Sequence, residues 1–391
     1  MSRGPSLAAV ARAAGVALGT VSNVLNRPDR VREQTRARVY SAMREVGYSP
    51  ARVIYPTELG TDDPPATSGS GDMALPLLVS AGYISVDYIA QVGVMPHRDD
   101  RITAECIHKE LGGPAANVAV AAAALGRPFG LRVELATAVG QDMDSRWALE
   151  KLAERGVRAC ALRDPLRDRL SRCIVLVEAD GRRTKINEPL QLHEDDLFAH
   201  LLSEPRHGRR HLHVEGYQID HARALLPAVR EAGWTVSIHD TGLPDACRDA
   251  AGLERLVADF DLVFLNRRTT EAMLGHRGGT EALTAALVAR SWAAARHGDL
   301  IVTLGAEGAV AFSEDGGVTR VSPPEVDVVD GTGAGDCLVG VYLAHWLHGI
   351  CADEALGPAV TAASLSTTRR GAQGLRLGLA EIRAAGRRAT A

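Results

Sequence analysis

At 391 residues, 46% of them apolar, the chain is long enough for two domains with full cores, and no apolar run approaches the ~20 residues of a membrane span. Its six cysteines stand far apart with no C-x-x-C pair, which argues against a disulfide framework or a zinc site; with no basic-then-apolar leader either, a reducing cytoplasm is the expected compartment. The net charge of −4 is uneven: residues 1–56 hold nine Arg against Asp29, Glu33 and Glu45, a net of +6, so the remainder carries −10 and only the head is expected to meet a polyanion.

In the head, Leu7, Val10, Ala11 and Ala14 recur at helical spacing behind a capping Ser6. Gly15-Val16 makes a tight turn, a second short helix runs from about Leu18 to Leu25, and Asn26-Arg27-Pro28 ends it. A third runs from about Arg32 to Val46, with Val39, Met43 and Val46 inward, and stops at Gly47. This is the helix-turn-helix plan, in which the second helix enters the major groove. The run from Leu7 to Val16, Thr20-Val21-Ser22-Asn23-Val24-Leu25-Asn26, the run from Val31 to Arg36, and Gly47-Tyr48-Ser49-Pro50 resemble the DNA-binding head of the lac-repressor (LacI) family. That resemblance implies operator DNA as a partner, with Leu18, Gly19 and Asn23 reading base edges. Thr20, Ser22 and Asn26 then contact phosphate or cap helices, and Arg36 and Tyr48 are further backbone contacts. Two features depart from the family. Ala17 replaces the usual Ser at the start of the recognition helix, and Val53-Ile54-Tyr55-Pro56 stands where a hinge helix is usual. Binding is therefore expected to rest on major-groove and phosphate contacts, with a homodimer supplying affinity.

Residues 57–73, rich in Pro, Gly and Ser, read as a flexible tether between the head (1–56) and a body (74–391). The body alternates apolar runs with helical patterns. Strands are predicted at Leu75–Gly82, Val133–Val139, Cys173–Glu178, His211–Gly216, Thr235–His239, Leu262–Leu265 and Leu300–Thr303. Helices are predicted at Ala115–Leu125, Ser145–Glu154, His221–Ala232, Glu281–Ala295, Asp336–His348 and Glu354–Thr367. Such alternation means an α/β fold with a mostly parallel sheet covered on both faces, and ligands at the carboxyl ends of its strands.

Several segments carry chemistry. Asp87 follows the first strand, and Gly112-Gly113-Pro114-Ala115-Ala116-Asn117 lets backbone approach a ligand and offers an amide side chain. His207, His211 and His213 lack a carboxylate partner and read as surface or core histidines rather than metal ligands. Most informative is Asp330-Gly331-Thr332-Gly333-Ala334-Gly335-Asp336, directly before the apolar run from Cys337 to Leu343. It sets a small-residue turn at a helix start, where unpaired N–H groups and the helix dipole attract a phosphate or a developing anion. A carboxylate ends the turn, placed to take a proton from an attacking hydroxyl. These are the parts of a phosphotransferase.

The segment resembles the C-terminal signature D-T-x-G-A-G-D of the ribokinase-like (PfkB) sugar kinases, with Gly331 where Thr is usual. Gly112, Gly113 and Asn117, with Val118-Ala119-Val120-Ala121 and Leu125-Gly126, resemble the N-terminal signature, and Val139-Gly140-Gln141-Asp142 also fits. The resemblance runs from about residue 75 to about residue 386. It implies a doubly wound, mostly parallel ribokinase-like sheet with a small β lid built from segments around Ile84–Glu110 and Ser171–Glu188. It also implies transfer of the ATP γ-phosphoryl group to a hydroxyl of a sugar or sugar-like molecule. In that scheme Asp336 is the base, the N–H groups of Gly333, Ala334 and Gly335 hold the moving charge, and Asp87, Gly112, Gly113 and Asn117 hold the sugar. Asn266, Thr303, Gly305, Gly308, Ala363 and Thr367 lie along the nucleotide. The family's N-x-x-E motif, whose Glu helps organise Mg²⁺, puts Thr269 at the Glu position, with Glu271 two residues late. Asp330 and Thr332 are the implied contacts of a monovalent cation such as K⁺. The sequence leaves open a sugar-responsive regulator whose kinase fold is weakly active or inactive, and a nucleoside kinase.

Overall fold

The structure, a computed structural model, describes residues 7–26, 31–46, 48, 53–54, 75–125, 129–163, 169–179, 182–188, 208–275, 278–289, 298–375 and 377–389. The tether at 57–73, Ser6, Gly126 and His207 lie outside these residues.

Three helices, α1 (Leu7–Ala14), α2 (Leu18–Asn26) and α3 (Glu33–Glu45), form the head. Val10, Ala14, Val21, Val24, Val39 and Met43 close a small core of their own. Gly15, at φ 62°, makes the turn between α1 and α2. Leu18 is 53% exposed at the start of α2. Gly19 and Asn23 are also exposed, and Thr20 is half-buried. Ser22 and Asn26 belong to α2 as well, with side chains outside those described.

The body is built from a ten-stranded sheet and a four-stranded one. In chain order the strands are β1 (Val53–Ile54), β2 (Leu77–Ala81), β3 (Ser85–Val92), β4 (Cys106–Gly112), β5 (Arg132–Val139), β6 (Arg158–Arg163), β7 (Ser171–Glu178), β8 (Arg183–Asn187), β9 (Arg210–Glu215), β10 (Thr235–His239), β11 (Leu262–Asn266), β12 (Asp299–Thr303), β13 (Ala309–Phe312) and β14 (Val318–Val321). The large sheet runs β1-β6-β5-β2-β9-β10-β11-β12-β13-β14. It is parallel from β6 to β12 and antiparallel at both ends. Val53 and Ile54, expected to lead into the tether, instead pair with Leu162 and Ala161 at the edge of this sheet. The inner strands are buried on both faces because helices cover both, as in any parallel sheet wound in two directions.

The helices of the body are α4 (Pro114–Ala123), α5 (Met143–Glu154), α6 (Ile219–Glu231), α7 (Ala250–Asp259), α8 (Arg267–Leu274), α9 (Thr280–Val288), α10 (Ala334–Leu347), α11 (Ala352–Ser366) and α12 (Leu379–Ala389). Their starts follow the sequence locally. Asp142, Asp249 and Asn266 each accept the N–H three residues on, capping α5, α7 and α8. Almost every residue of α10 from Cys337 to Leu347 is buried, as expected of a helix without a polar face. It packs on α4 closely enough that a Cβ at Gly340 would strike the Val118 carbonyl. That approach brings residues of the two signatures, far apart in the chain, into contact. The four-stranded sheet, ordered β4-β3-β7-β8, comes from the two segments read as the lid.

Candidate active site

The carboxyl ends of β2, β10, β11 and β12 open into a cleft of about 390 Å³, lined on its far side by residues of β3, β7 and β8. β2, the first parallel strand in chain order, lies between β5 and β9, so chain order reverses here and the strand ends splay into a crevice.

At the floor, α10 begins with Gly333 as its N-cap at φ 73°. A Cβ there would press on Ala372, so the turn is built for glycine. Among the described residues the N–H groups of Gly333 and Gly335 have no backbone acceptor, and that of Ala334 has only a long bond of 3.4 Å to the Gly331 carbonyl. Asp336, in the same first turn, also lines the cleft. Its Oδ2 accepts a hydrogen bond of 2.8 Å from Asn117 Nδ2, and Asn117 Oδ1 in turn accepts one of 3.0 Å from Gln373 Nε2. The Asn117 amide, expected to meet the sugar, lines the cleft and also aims the carboxyl. Burial pushes the Asp336 carboxyl up to about 7; the Asn117 bond and the Lys185 charge oppose the rise, and Asp240 adds to it. Oδ1 is left to face the cleft and His239, whose Nε2 is 3.9 Å away.

Asp87 points into the cleft from β3 and takes a hydrogen bond of 2.8 Å from Ser85 Oγ; burial raises its pKa. Gly112 and Gly113 act by what they lack. A Cβ at Gly112 would fall on the Asp87 carboxylate, and one at Gly113 (φ 98°) on the Tyr83 carbonyl. Sequence reading missed Arg172, Lys185, Tyr217, His239 and Asp240, which also line the cleft. Arg172 is held by Asp144, through Nε at 3.2 Å and Nη2 at 3.0 Å. Lys185 carried one available signal, being one of only three lysines in the chain.

Asn266 and Thr303 line the same cleft, where Asn266 caps α8 by accepting the Thr269 N–H at 2.9 Å. Gly305, Gly308, Ala363 and Thr367 lie beyond its lining. The Thr367 carbonyl accepts the N–H groups of Val329 and Asp330 at 2.8 and 2.9 Å, so it anchors the signature loop. Glu271 does not reach the cleft. Two residues past Thr269 on a helix means a turn of about 200°, so the spacing that displaces this Glu in sequence also turns it away in space. Asp330, one of the two expected monovalent-cation contacts, pairs with Arg183 from β8, which reaches its Oδ1 at 2.5 Å. Burial acts to raise the Asp330 pKa, but the N–H groups of Gly371 and Thr332 and the Arg183 charge outweigh it and hold it below the usual range. No cluster of three His, Cys, Asp or Glu suited to a metal occurs among the described residues.

Residues 75–376 match the family described as pfkB family carbohydrate kinase. The chain belongs to that family. Residues 6–51 match the lacI family of bacterial regulatory proteins, so this pfkB-family kinase carries a lacI-type helix-turn-helix head. Among curated proteins it is similar to an ATP-dependent ribose-1-phosphate kinase of Halopiger xanaduensis, with 28% identity over 76% of this chain and 93% of the relative. It is also similar to the uncharacterized sugar kinase YegV of Escherichia coli, with 29% identity over 71% of this chain and 85% of the relative. Its fold is that of ribokinase from Thermotoga maritima (TM-score 0.63, 21% identity, covering 79% of this chain and 98% of the other). Ribokinase from Arabidopsis thaliana, solved with ribose and ATP, superposes comparably (TM-score 0.60, 21% identity, 80% and 99%).

Proposed function

We propose that this pfkB-family kinase transfers the γ-phosphoryl group of ATP to a hydroxyl of a sugar or sugar-like molecule. The observation that carries this reading is Asp336, held by Asn117 with its free oxygen turned to the cleft, beside the unpaired N–H groups at the start of α10. Asp336 Oδ1 takes the hydroxyl proton as that oxygen attacks the γ-phosphorus, and the bond to ADP breaks. The N–H groups of Gly333, Ala334 and Gly335 hold the charge of the moving phosphoryl group. Mg²⁺, when bound with ATP, neutralises phosphate charge. Asp87 and the Gly112–Gly113 backbone hold the acceptor, while Asn266, Thr303, Gly305, Gly308, Ala363 and Thr367 flank the nucleotide path. Arg172 is already paired with Asp144, which leaves Lys185 as the lining cation open to an anionic group on the acceptor, such as that of the sugar phosphate named for the Halopiger relative. The test is thermal stabilisation across neutral sugars, sugar phosphates, sugar acids and nucleosides, followed by ATP consumption with each ligand that binds. Binding without consumption would favour a DNA-bound sensor.

The base must be ionised to work. With Asp336 at about 7, its ionised fraction rises with pH through that value, so kcat/KM is expected to fall about tenfold per pH unit below it. A flat profile between pH 5.5 and 8 would remove Asp336 from this role. Because Arg183 already neutralises Asp330, turnover in K⁺ is expected to equal turnover in a bulky organic cation, and Arg183→Ala to become K⁺-stimulated. Strong stimulation of the parent would contradict that pairing.

The head is proposed to bind operator DNA through α2. Exposed Ile174 and Ile186, paired across β7 and β8, give the outer lid face an apolar patch suited to a second copy, and so to the two heads a palindromic operator needs. Deleting residues 1–52 is expected to abolish DNA binding and leave kinase turnover within about twofold. Loss of both in a gel-shift and ATP assay would contradict an independent head.

A further inference from the structure

Behind the cleft, a line of buried polar groups runs the length of two neighbouring strands. β9 and β10 pair with Thr235 opposite His211, Ser237 opposite His213 and His239 opposite Glu215, so these side chains share one face of the sheet. Each contacts the next. Thr235 Oγ1 is 2.8 Å from His211 Nδ1, His211 Nε2 is 2.6 Å from Ser237 Oγ, Ser237 Oγ is 2.7 Å from His213 Nδ1, and His213 Nε2 is 2.8 Å from His239 Nδ1. The planes of the last two rings differ by only 10°. His211 and His213 are fully buried and His239 is 4% exposed.

One end sets the polarity of the whole line. The Thr235 hydroxyl donates to the Arg210 carbonyl at 3.2 Å, so Oγ1 accepts from His211 Nδ1–H. Burial holds all three imidazoles neutral, with one N–H each. His211 Nε2 therefore accepts from Ser237, Ser237 from His213 Nδ1–H, and His213 Nε2 from His239 Nδ1–H. His239 Nε2 ends the line as a bare lone pair, buried and without a hydrogen-bond partner, 3.9 Å from Asp336 Oδ1. The other Asp336 oxygen is taken by Asn117, so Oδ1 is the one that carries a proton.

We infer that Thr235, His211, Ser237, His213 and His239 form a proton relay that empties Asp336 during turnover, leading its proton away from the covered cleft to the partly exposed Thr235 about 13 Å off. This rests on Asp336 as the base. The Asp336 Oδ1–H bond breaks as an N–H bond forms at His239 Nε2, once the gap closes by roughly 1 Å to hydrogen-bond distance. His239 Nδ1–H passes to His213 Nε2, His213 Nδ1–H to Ser237, Ser237 O–H to His211 Nε2, and His211 Nδ1–H to Thr235, whose own hydroxyl proton turns from the Arg210 carbonyl and leaves to water. One proton enters and one departs, and reorientation of the groups restores the line. The low basicity of the buried rings means that the protons move together, with no imidazolium standing in the core. Of the other groups around Asp336, Asn117 and Lys185 donate to or attract the carboxylate, and Asp240 and Cys337 meet it only through charge. Buried Glu215, opposite His239, accepts the Tyr83 N–H at 2.9 Å through Oε1 and also meets Asp336 only through charge.

Two measurements test the relay. In ¹⁵N-histidine NMR of the full chain, His211, His213 and His239 are all expected as neutral Nδ1–H tautomers; an Nε2–H on any of them breaks the line and overturns the assignment. Ser237→Ala cuts the line with the loss of one hydroxyl, far from either substrate. It is expected to lower kcat on the order of tenfold at unchanged KM, and to turn a curved proton inventory in mixed H₂O and D₂O into a linear one. A variant that melts like the parent with unchanged kcat and inventory would overturn the relay while leaving Asp336 in place. If Asp336→Ala itself keeps its turnover, the base assignment fails instead.

Discussion

Replacing Asp336 by alanine is expected to lower kcat by about 10²–10⁴-fold, the usual span for losing a positioned general base, while the acceptor still binds. Three features support a loss in kcat rather than in affinity. The carboxyl is placed by Asn117 and Gln373 rather than by the ligand, it sits in the first turn of α10 beside the unpaired N–H groups, and the sugar end of the cleft is held separately by Asp87 and the lid cations. Asn117→Ala, which leaves the carboxyl unaimed, should reproduce part of the loss. Steady-state kinetics with calorimetric titration of the acceptor separates the two effects. Retained turnover in Asp336→Ala would end the general-base assignment.

Gly333→Ala is expected to cost about 10²-fold in kcat, comparable with removing an oxyanion-hole donor, although it adds a single methyl group. Gly333 has φ 73°, where an alanine pays roughly 1–2 kcal/mol. Its Cβ would also press on Ala372, which belongs to the loop that hydrogen-bonds Asp330 through Gly371 N–H at 2.9 Å. The turn must therefore move, and the N–H groups that cradle the moving phosphoryl move with it. A variant with parental kcat and melting temperature would show that the turn's geometry is not critical.

What was legible in the sequence and what was not divide along one physical line. Local signals read well. The start of α10 follows from a glycine turn running into an apolar stretch, and the strands from β9 to β12 follow from short apolar runs between helical patterns. Counting residues from Asn266 showed that Glu271 was out of register, and on the helix it points elsewhere. Groups brought together by long-range register did not read. Asn117 meets Asp336 across 219 residues because Gly340 lets two helices close up, and Arg183 meets Asp330 because the lid folds back over the signature loop. The histidines illustrate both sides. As core histidines His211 and His213 read correctly, but their continuation through Ser237 and His239 depends on how β9 and β10 pair.

The most direct test of the central claim is label transfer. The full chain is incubated with γ-³²P-labelled ATP, Mg²⁺ and the acceptor that most stabilises it, and the products are separated. Label on an acceptor hydroxyl, absent with Asp336→Ala, is the expected result. Label released only as inorganic phosphate, or left on ATP while the acceptor stays bound, would contradict a sugar kinase and leave a DNA-bound sensor of the same ligand.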